Sequence, residues 1–431
     1  MSEVIATNQT ILVVGGGISG MTAAIEAAEC GKQVILLEKN PSLGGRVSQL
    51  YKYFPKLCHP TCGMEINLRR IKASKNLRVM TLAEVTAITG EAGNYTATVK
   101  LSPRYVNENC TACGECGKAV DAEFDNEFNY GLNKRKGAYL PNAMAYPQRY
   151  VLDPRIIGMP DADKAKAACK YDAINLDMKE ETLTLKVGAV IWSTGWRPYD
   201  AAKIQPYGYD RIANVITSVE FERMLDPFGP TGGKLIRPSD GKEAKNVAFI
   251  QCAGSRDRNH LKHCSRICCM ASLKQTQYVR EAYPDGSGKS TVYYIDIRAI
   301  DRFEDFYQKV MKDPTVRFVK SKVASIAEDA KTGDVVLHGV DTEGYHRYAS
   351  THDLAVLAIG MTPSVPAGNI PAEVIADSSG FIEASAAGSG IFGAGCATNA
   401  LDVNRAVQSS TAAALRAIQV VNQLAREEEA S

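Results

Sequence analysis

Residues 10–38, TILVVGGGISGMTAAIEAAECGKQVILLE, decide the fold of this chain. Ile11–Val14 is a short apolar, β-branched run, which is typical of a buried parallel strand. Gly15–Gly20 follows it directly, Met21–Cys30 is rich in alanine and indicates a helix, and Gln33–Leu37 is a second apolar strand. This order of strand, glycine turn, helix and strand predicts a βαβ unit, and with it an α/β protein built on a parallel, Rossmann-like sheet.

The glycine turn carries the G-x-G-x-x-G fingerprint of a dinucleotide site in its full structural context. Gly15 permits the tight turn, Gly17 lets the backbone approach a pyrophosphate, and Gly20 allows the helix to pack closely on the strand. Glu38 follows the second strand, where a carboxylate binds ribose hydroxyls. A glycine turn without a ligand is the alternative. The binding residues predicted here are Gly15, Gly17, Ile18, Ser19, Gly20, Glu38 and Lys39.

A second glycine pair, in Leu43–Arg46, resembles the two-dinucleotide-binding-domain flavoproteins, where it serves FAD. Val190–Gly195 and Val356–Gly360 are similar to that family's glycine-ended strands, and Gly390–Cys396 is similar to its C-terminal FAD motif. The family usually has Asp where this chain has Cys396; a backbone N–H of the next helix could replace that contact. The resemblance implies FAD and a thioredoxin reductase- or glutathione reductase-like fold. It adds as binding residues Gly44, Gly45, Arg46, Val85, Thr194, Gly195, Gly395 and Cys396.

The first cysteine group, Cys110, Cys113 and Cys116, has the spacing C-x2-C-x2-C. A ferredoxin would have a fourth cysteine at the position of Val120, but in two-cluster ferredoxins that residue ligates the other cluster. The end of the second ferredoxin run resembles Cys169–Ile174. We therefore expect the three cysteines and Cys169 to hold one [4Fe–4S] cluster in a ferredoxin-like insert whose second cluster is lost. A zinc site and a metal-free insert are the alternatives.

The second cysteine group stands where a second nucleotide-binding domain should open. Asn246–Ile250 is its strand, and the turn Gln251–Asp257 keeps only one glycine, so nicotinamide binding is not expected. Cys264 and Cys268 are four residues apart, which predicts one face of a helix, with Cys269 adjacent at the helix start. Four thiolates could bind a second [4Fe–4S] cluster; buried reduced thiols are the alternative. The predicted ligands are Cys252, Cys264, Cys268 and Cys269.

The segments CAGSRD at 252–257 and CSRICC at 264–269 closely resemble the A-subunit family of heterodisulfide reductases, HdrA. The stretch from Asp125 to Tyr150 is similar to that family's ferredoxin insert. The resemblance implies a cluster near the flavin. The basic run Asn133–Lys136 within the insert is more typical of a solvated loop than of a docking surface for a partner.

Cys58 and Cys62 form a C-x3-C pair soon after the second glycine pair. Flavoprotein disulfide reductases have a redox pair near this position, but with the spacing C-x4-C. An inert or structural pair, a redox-active pair and a metal-ligand pair all remain open for these two residues.

The domain division predicted from these motifs has five segments. The Pro- and Gly-rich stretch from Gly229 to Gly241 is the expected linker. The segments are a first FAD-domain part at 1–104, the ferredoxin-like [4Fe–4S] insert at 105–178, a second FAD-domain part at 179–243, a degenerate second nucleotide-binding domain at 244–355, and a third FAD-domain part at 356–431.

The charge balance and the hydropathy of the chain limit which kinds of partner are expected. Lys and Arg total 50 against 48 Asp and Glu, which gives no reason to expect nucleic acid. Apolar stretches fall short of the roughly 18 residues that a membrane span needs, and Met1–Thr10 lacks a signal-peptide layout. The sequence therefore predicts a cytoplasmic protein with no direct transmembrane contact, which reaches the inner face of the membrane through its complex.

No general base or nucleophile stands out, so we expect an electron-relay oxidoreductase subunit without catalytic residues of its own. Lacking the terminal extensions of most HdrA proteins, the chain resembles the flavoproteins of quinone-interacting membrane-bound oxidoreductases. This implies a second, HdrA-like flavoprotein subunit, a membrane haem b and quinone subunit, and electron transfer between menaquinone and adenylylsulfate (APS) reductase in sulfate reduction. The alternatives are a soluble, electron-bifurcating heterodisulfide reductase-like complex, a free-standing NAD(P)H-dependent flavoenzyme, and a non-catalytic scaffold.

Overall fold

The computed structural model describes residues 6–300, 302–365, 367–383 and 389–430. The helices are α1 Ile18–Glu29, α2 Thr61–Ala73, α3 Glu115–Ala119, α4 Pro160–Ala168, α5 Ser218–Leu225, α6 Cys268–Ala282, α7 Phe303–Met311 and α8 Val403–Ala430. The strands are β1 Thr10–Val14, β2 Gln33–Glu38, β3 Leu77–Thr81, β4 Ala83–Glu91, β5 Asn94–Leu101, β6 Glu123–Asp125, β7 Lys134–Lys136, β8 Ala138–Tyr139, β9 Val151–Leu152, β10 Glu181–Val187, β11 Ala189–Trp192, β12 Trp196–Pro198, β13 Val215–Thr217, β14 Asn246–Ala253, β15 Lys289–Tyr294, β16 Val316–Lys320, β17 Ser325–Glu328, β18 Val335–Asp341, β19 His346–His352, β20 Leu354–Ile359, β21 Met361–Pro363 and β22 Ile391–Gly393.

The first large sheet is parallel and has the strand order β22-β11-β1-β2-β3. Its central strand β1 is fully buried, because alternate residues face different layers. Ile11 and Val13 pack with α1 and α8, whereas Leu12 and Val14 pack with the small antiparallel sheet β10-β5-β4. Burial on both faces explains why this strand is an unbroken apolar run.

The second large sheet has the order β13-β20-β14-β15-β16 and is also parallel. Phe249 and Val356 face α5 and α6. Ala248 and Leu357 face the opposite layer, which contains the antiparallel sheet β17-β18-β19. The predicted α/β class and Rossmann-like sheets are confirmed.

Two strands differ from the predicted domain division. β13 lies within 179–243 and β20 crosses the boundary at 356, yet both pair in the second sheet and not with the FAD-domain strands. A buried parallel strand is an apolar run wherever it pairs, so its composition does not reveal its sheet. The two domains are also joined by β12, which pairs antiparallel with β21.

The insert has a small core of its own. Val120, Leu152 and Ile156 are buried there with the Cys116 thiol. Val120 stands where a ferredoxin would have its fourth cysteine, and apolar packing fills that position. Two short hairpins, β6-β7 and β8-β9, complete the insert among the described residues.

No helix in the described ranges is both long and apolar enough to cross a membrane.

Candidate flavin and iron–sulfur sites

A cavity of 820 Å³ opens at the carboxyl ends of β1, β2 and β11, the place where parallel α/β sheets bind ligands. Its volume lies within the range of about 300–1,000 Å³ found for small-molecule and cofactor sites. Most of the predicted flavin-binding residues line it: Gly15, Gly17, Ile18, Ser19, Glu38, Lys39, Gly45, Arg46, Val85, Thr194, Gly195 and Cys396. Gly20, Gly44 and Gly395 do not line it.

The glycines shape the cavity in two ways. A Cβ added at Gly20 would lie 1.7 Å from the carbonyl oxygen of Gly15, and one at Gly395 would lie 1.9 Å from Ser19 Oγ. These two glycines therefore allow close packing behind the cavity wall. A Cβ at Gly17, by contrast, would meet only Gly45 Cα at 3.8 Å. No other protein atom therefore covers the backbone of Gly17 on the side of the cavity.

Helix α1 begins at Ile18, inside the glycine motif, and not at Met21 as predicted. Gly17 is its N-cap residue and provides no side-chain cap. The first backbone N–H groups of α1 therefore have no side-chain partner from the cap, which suits a pyrophosphate.

Glu38 anchors the turn as well as facing the cavity. Its Oε2 accepts a hydrogen bond from the Gly16 N–H at 2.7 Å, and its Oε1 accepts from the backbone and side-chain N–H groups of Asn40 at 2.8 and 2.7 Å. Burial raises the pKa of this carboxyl group, while the bonds from Asn40 and Gly16 lower it. The role of Asn40 was not predicted, since the fingerprint contains no signal for it.

The insert supplies part of the cavity wall. Arg46 donates from Nη1 to the Tyr130 hydroxyl at 3.1 Å and to Gln49 Oε1 at 3.2 Å, and its guanidinium lies 5.5 Å from the centre of the Tyr130 ring. Nearby, Arg223 of α5 donates to Asn129 Oδ1 at 2.8 Å. These contacts tie the cysteine-bearing insert to both nucleotide-binding domains.

Cys396 lines the cavity where flavoproteins usually have an acid. Its thiol donates to the Leu401 carbonyl oxygen at 3.3 Å, and burial raises its pKa to about 11, so the side chain is neutral. Asp402 also lines the cavity, but its Oδ1 accepts from the Arg405 N–H at 2.9 Å in the first turn of α8.

A buried ion pair, not predicted from the sequence, forms the cavity floor. Lys274 Nζ lies 2.8 Å from Glu222 Oε1, and both side chains are under 5% exposed. Gln275 and Tyr278 donate to the same carboxylate at 2.7 and 3.0 Å. Burial lowers the pKa of Lys274, although Glu222 raises it. These residues belong to no motif. The one hint in the sequence was a lysine within a helix that packs in the core.

The structure brings the first thiol set together. Burial and the other three thiols raise the pKa of Cys116 to about 11. Backbone N–H groups donate to the sulfur atoms of Cys110 and Cys169, each at 3.4 Å. The chain has positive φ at Ala112, Gly114 and Asp172, between or just after these cysteines. Such turns aim successive N–H groups into one concavity, as found at iron–sulfur sites.

The second thiol set also converges, with one correction. Helix α6 begins at Cys268, so Cys264 precedes the helix and does not share a helical face with it. Cys252 and Arg266 both adopt the left-handed backbone conformation, one at the end of β14 and one just before α6. Burial and the other three thiols raise the pKa of Cys268 well above its ordinary value, and burial raises that of Cys269 to about 11.

The donor chemistry of both sets fits iron–sulfur clusters. Each set offers four thiols, and the N–H of Arg266 donates to the Cys264 sulfur at 3.3 Å, the kind of bond that tunes cluster potentials. Thiols with raised pKa would release protons on binding a metal. In the described segments, no group of three or more His, Cys, Asp or Glu side chains is arranged to hold a metal ion.

The pair Cys58 and Cys62 flanks the start of α2. The Cys58 thiol is partly exposed and donates to the Lys56 carbonyl oxygen at 3.5 Å, and Cys62 is exposed in the first turn of α2. The three roles considered for this pair therefore stay open.

The basic run forms strand β7 in place of a free loop. Lys134 pairs with Asp125, and Lys136 pairs with Glu123. Arg135 lies 3.7 Å from the centre of the Tyr139 ring.

Comparisons with known proteins agree with this geometry. Residues 10–91 match the FAD dependent oxidoreductase family. An A-type iron–sulfur subunit of the CoB–CoM heterodisulfide reductase of Methanopyrus kandleri is 38% identical over 420 residues, covering 94% of this chain and 63% of that protein. The corresponding subunit of Methanocaldococcus jannaschii is 39% identical over 368 residues, covering 84% and 55%. The chain thus spans little more than half the length of these curated relatives.

Solved structures show the fold. T. acidophilum thioredoxin reductase superposes with a TM-score of 0.52 at 14% identity, covering 95% of this chain and 98% of that one. Bacillithiol disulfide reductase from Bacillus cereus gives 0.53 at 11% identity, covering 96% and 99%. The chain therefore has the two-domain flavoprotein fold of thioredoxin reductases, and its sequence is similar to FAD dependent oxidoreductases and to A-type heterodisulfide reductase subunits.

Proposed function

We propose that this FAD-dependent oxidoreductase subunit relays electrons between a flavin in the cavity and two [4Fe–4S] clusters, one at each thiol set. The observation that supports this most is the extent of the cavity. It begins at the glycine loop and reaches Cys268, the first residue of α6 and a member of the second thiol set. A flavin in this cavity would lie beside a cluster. A flavin exchanges two electrons and a cluster one, so the pair can split or merge electron pairs.

The residues of this chain have distinct tasks in that proposal. The glycine loop and Glu38 hold the dinucleotide, and the buried floor excludes water. Lys274 Nζ lies beside Glu222 at the cavity floor, where a flavin that takes up electrons would also need protons. No nucleophile or general base for another substrate is assigned.

The second domain is proposed to carry a cluster in place of nicotinamide. After β14 the chain has one glycine, Gly254, and a Cβ there would lie 2.9 Å from the Tyr199 ring. Gly254 therefore serves packing against Tyr199, and the turn presents Cys252 where a pyrophosphate cradle would otherwise begin.

Two settings for this relay can be proposed. The sequence resemblance favours the HdrA-like flavoprotein of a quinone-interacting membrane-bound oxidoreductase, on the cytoplasmic face of the membrane. There it would work with a related flavoprotein subunit and a haem b subunit, and pass electrons between menaquinone and APS reductase. The relatives favour the second setting, a soluble electron-bifurcating heterodisulfide reductase-like complex. One of them, 36% identical over 374 residues, is the A-type component of the H2/formate:CoB–CoM heterodisulfide, ferredoxin reductase of Methanococcus maripaludis.

The test is to measure iron, acid-labile sulfide and flavin per chain in protein purified without oxygen. We expect one FAD and about eight iron atoms, from two four-iron clusters. Cys113→Ala and Cys252→Ala should each remove about half of the iron. FAD without iron would refute the relay, and protein with neither would indicate the non-catalytic scaffold. Co-purification with a haem b subunit, or with a soluble ferredoxin-reducing partner, distinguishes the two settings.

A further inference from the structure

Three buried side chains near the second thiol set have polar atoms without a hydrogen-bond partner among the described residues. These are both amide atoms of Gln251 and the hydroxyls of Ser255 and Ser272. The three residues are 3%, 2% and 0% exposed. A buried polar group left unpaired costs about 1–3 kcal/mol, and such groups are rare in native proteins. Three in one region therefore indicate a group that the polypeptide itself does not provide.

Gln251 is buried in β14, directly before Cys252 of the second thiol set. Along β14, Phe249 packs in the core that contains α6, whereas Ala248 and Ile250 pack in the core on the other side of the sheet. This alternation holds as far as Ile250. The pairing of β14 with β20 is irregular between Ile250 and Ala253, so Gln251 is placed by its neighbour Cys252, which it directly precedes. Ser272 lies on α6 four residues after Cys268, on the same face of the helix.

Ser255 reaches the same place from the loop after β14. A Cβ at Gly360 would lie 2.4 Å from Ser255 Oγ and 3.1 Å from Ser265 Oγ. The neighbouring residue Ile359 accepts a hydrogen bond from the Cys268 thiol at 3.4 Å. The Ser255 hydroxyl and Cys268 therefore both lie at the carboxyl end of β20.

We infer that Gln251, assisted by Ser255 and Ser272, donates hydrogen bonds to sulfur atoms of the group bound by Cys252, Cys264, Cys268 and Cys269. This inference rests on the proposed function, because it requires a cluster at that set. A donated hydrogen bond stabilises the more negative, reduced cluster and so raises its reduction potential. The Gln251 amide thus raises the reduction potential of the cluster nearest the flavin cavity.

The experiment compares Gln251→Leu with wild type and with Gln277→Leu. Gln277 is a matched control, since it lies on α6, is only partly buried, and donates to Thr276 Oγ1 at 3.3 Å. Iron is counted in each protein. The cluster signal that Cys264→Ala abolishes is then followed by EPR during a redox titration. Leucine removes two unpaired polar atoms without changing the side-chain size much, so the variant should fold.

We expect Gln251→Leu to keep its iron and to titrate at a lower midpoint potential, with Gln277→Leu unchanged. If Gln251→Leu titrates at the wild-type potential, the amide pairs with something else, such as a buried water, and this inference alone is wrong. If the wild type has no signal that depends on Cys264, the second cluster is absent, and the proposed function fails together with the inference. Ser272→Ala repeats the test should the leucine variant lose iron.

Discussion

Replacing Gly17 with alanine should weaken FAD binding while leaving the fold intact, whereas replacing Gly20 should damage both. Gly17 has φ −74° and ψ −174°, a conformation that alanine adopts freely, and its added Cβ meets nothing closer than 3.8 Å. The added Cβ of Gly20 would lie 1.7 Å from a backbone oxygen and 2.7 Å from Ser193 Oγ. Of these two glycines, only Gly17 has open space beside its Cα that a ligand could fill.

The expected magnitudes follow from these contacts. For Gly17→Ala, the free energy of unfolding of the flavin-free protein should change by no more than about 0.5 kcal/mol. An extra methyl group forced against a bound pyrophosphate costs about 1–3 kcal/mol, which corresponds to about 5- to 150-fold weaker binding. For Gly20→Ala, backbone atoms must move, so the flavin-free protein should lose about 3 kcal/mol or more.

The assay has two parts. Urea unfolding of flavin-stripped protein gives the stability, and quenching of flavin fluorescence during titration with FAD gives the dissociation constant. Gly63→Ala on α2 is the control, because its added Cβ would meet only the Tyr53 hydroxyl, at 3.6 Å, away from the cavity. If Gly17→Ala bound FAD as tightly as wild type, the glycine loop would not be the pyrophosphate site.

Three further predictions concern the metal sites, a buried histidine and the cavity floor. Cys169→Ala should lose about four iron atoms per chain, whereas Cys62→Ser should lose none if that exposed pair is not a ligand pair; metal analysis checks both. Burial lowers the pKa of His352 from 6.5 to about 4. The unfolded state thus binds more protons, and stability should fall by on the order of 3 kcal/mol as the pH drops from about 7 to about 4; His352→Gln should flatten urea-unfolding curves in that window. Lys274→Met should cost about 3–5 kcal/mol by leaving Glu222 buried without a counter-charge, with partial recovery in Lys274→Met/Glu222→Gln.

The sequence was most informative where a function needs a local chain conformation. The glycine loop, the strand before it and the helix after it are contiguous, so one short segment specifies the turn, the phosphate site and the packing. The first thiol set is a local pattern of the same kind, and its assignment as a cluster site stays a prediction. The cavity lining by Glu38, Arg46 and Cys396 could therefore be predicted from motif positions.

Contacts between segments far apart in sequence were not predictable in this way. The pairing of β13 and β20 in the second sheet depends on which apolar strand meets which, and composition is the same for either sheet. The expected helical face joining Cys264 and Cys268 was wrong because residues 255–267 form a loop before α6. Spacing by four suggests a helix only when the residues between are helical.

The floor of the cavity shows why pattern reasoning misses chemistry that burial creates. Glu222 and Lys274 lie on different helices, 52 positions apart by their numbers in the chain, and neither belongs to a motif. Each would be an ordinary surface charge in isolation. Packing α5 against α6 buries both charges. Because a buried charge is costly without partners, Lys274, Gln275 and Tyr278 all contact the Glu222 carboxylate. Since α6 begins with Cys268 and also carries Lys274, one helix contributes a residue to the buried ion pair and two residues to the second thiol set.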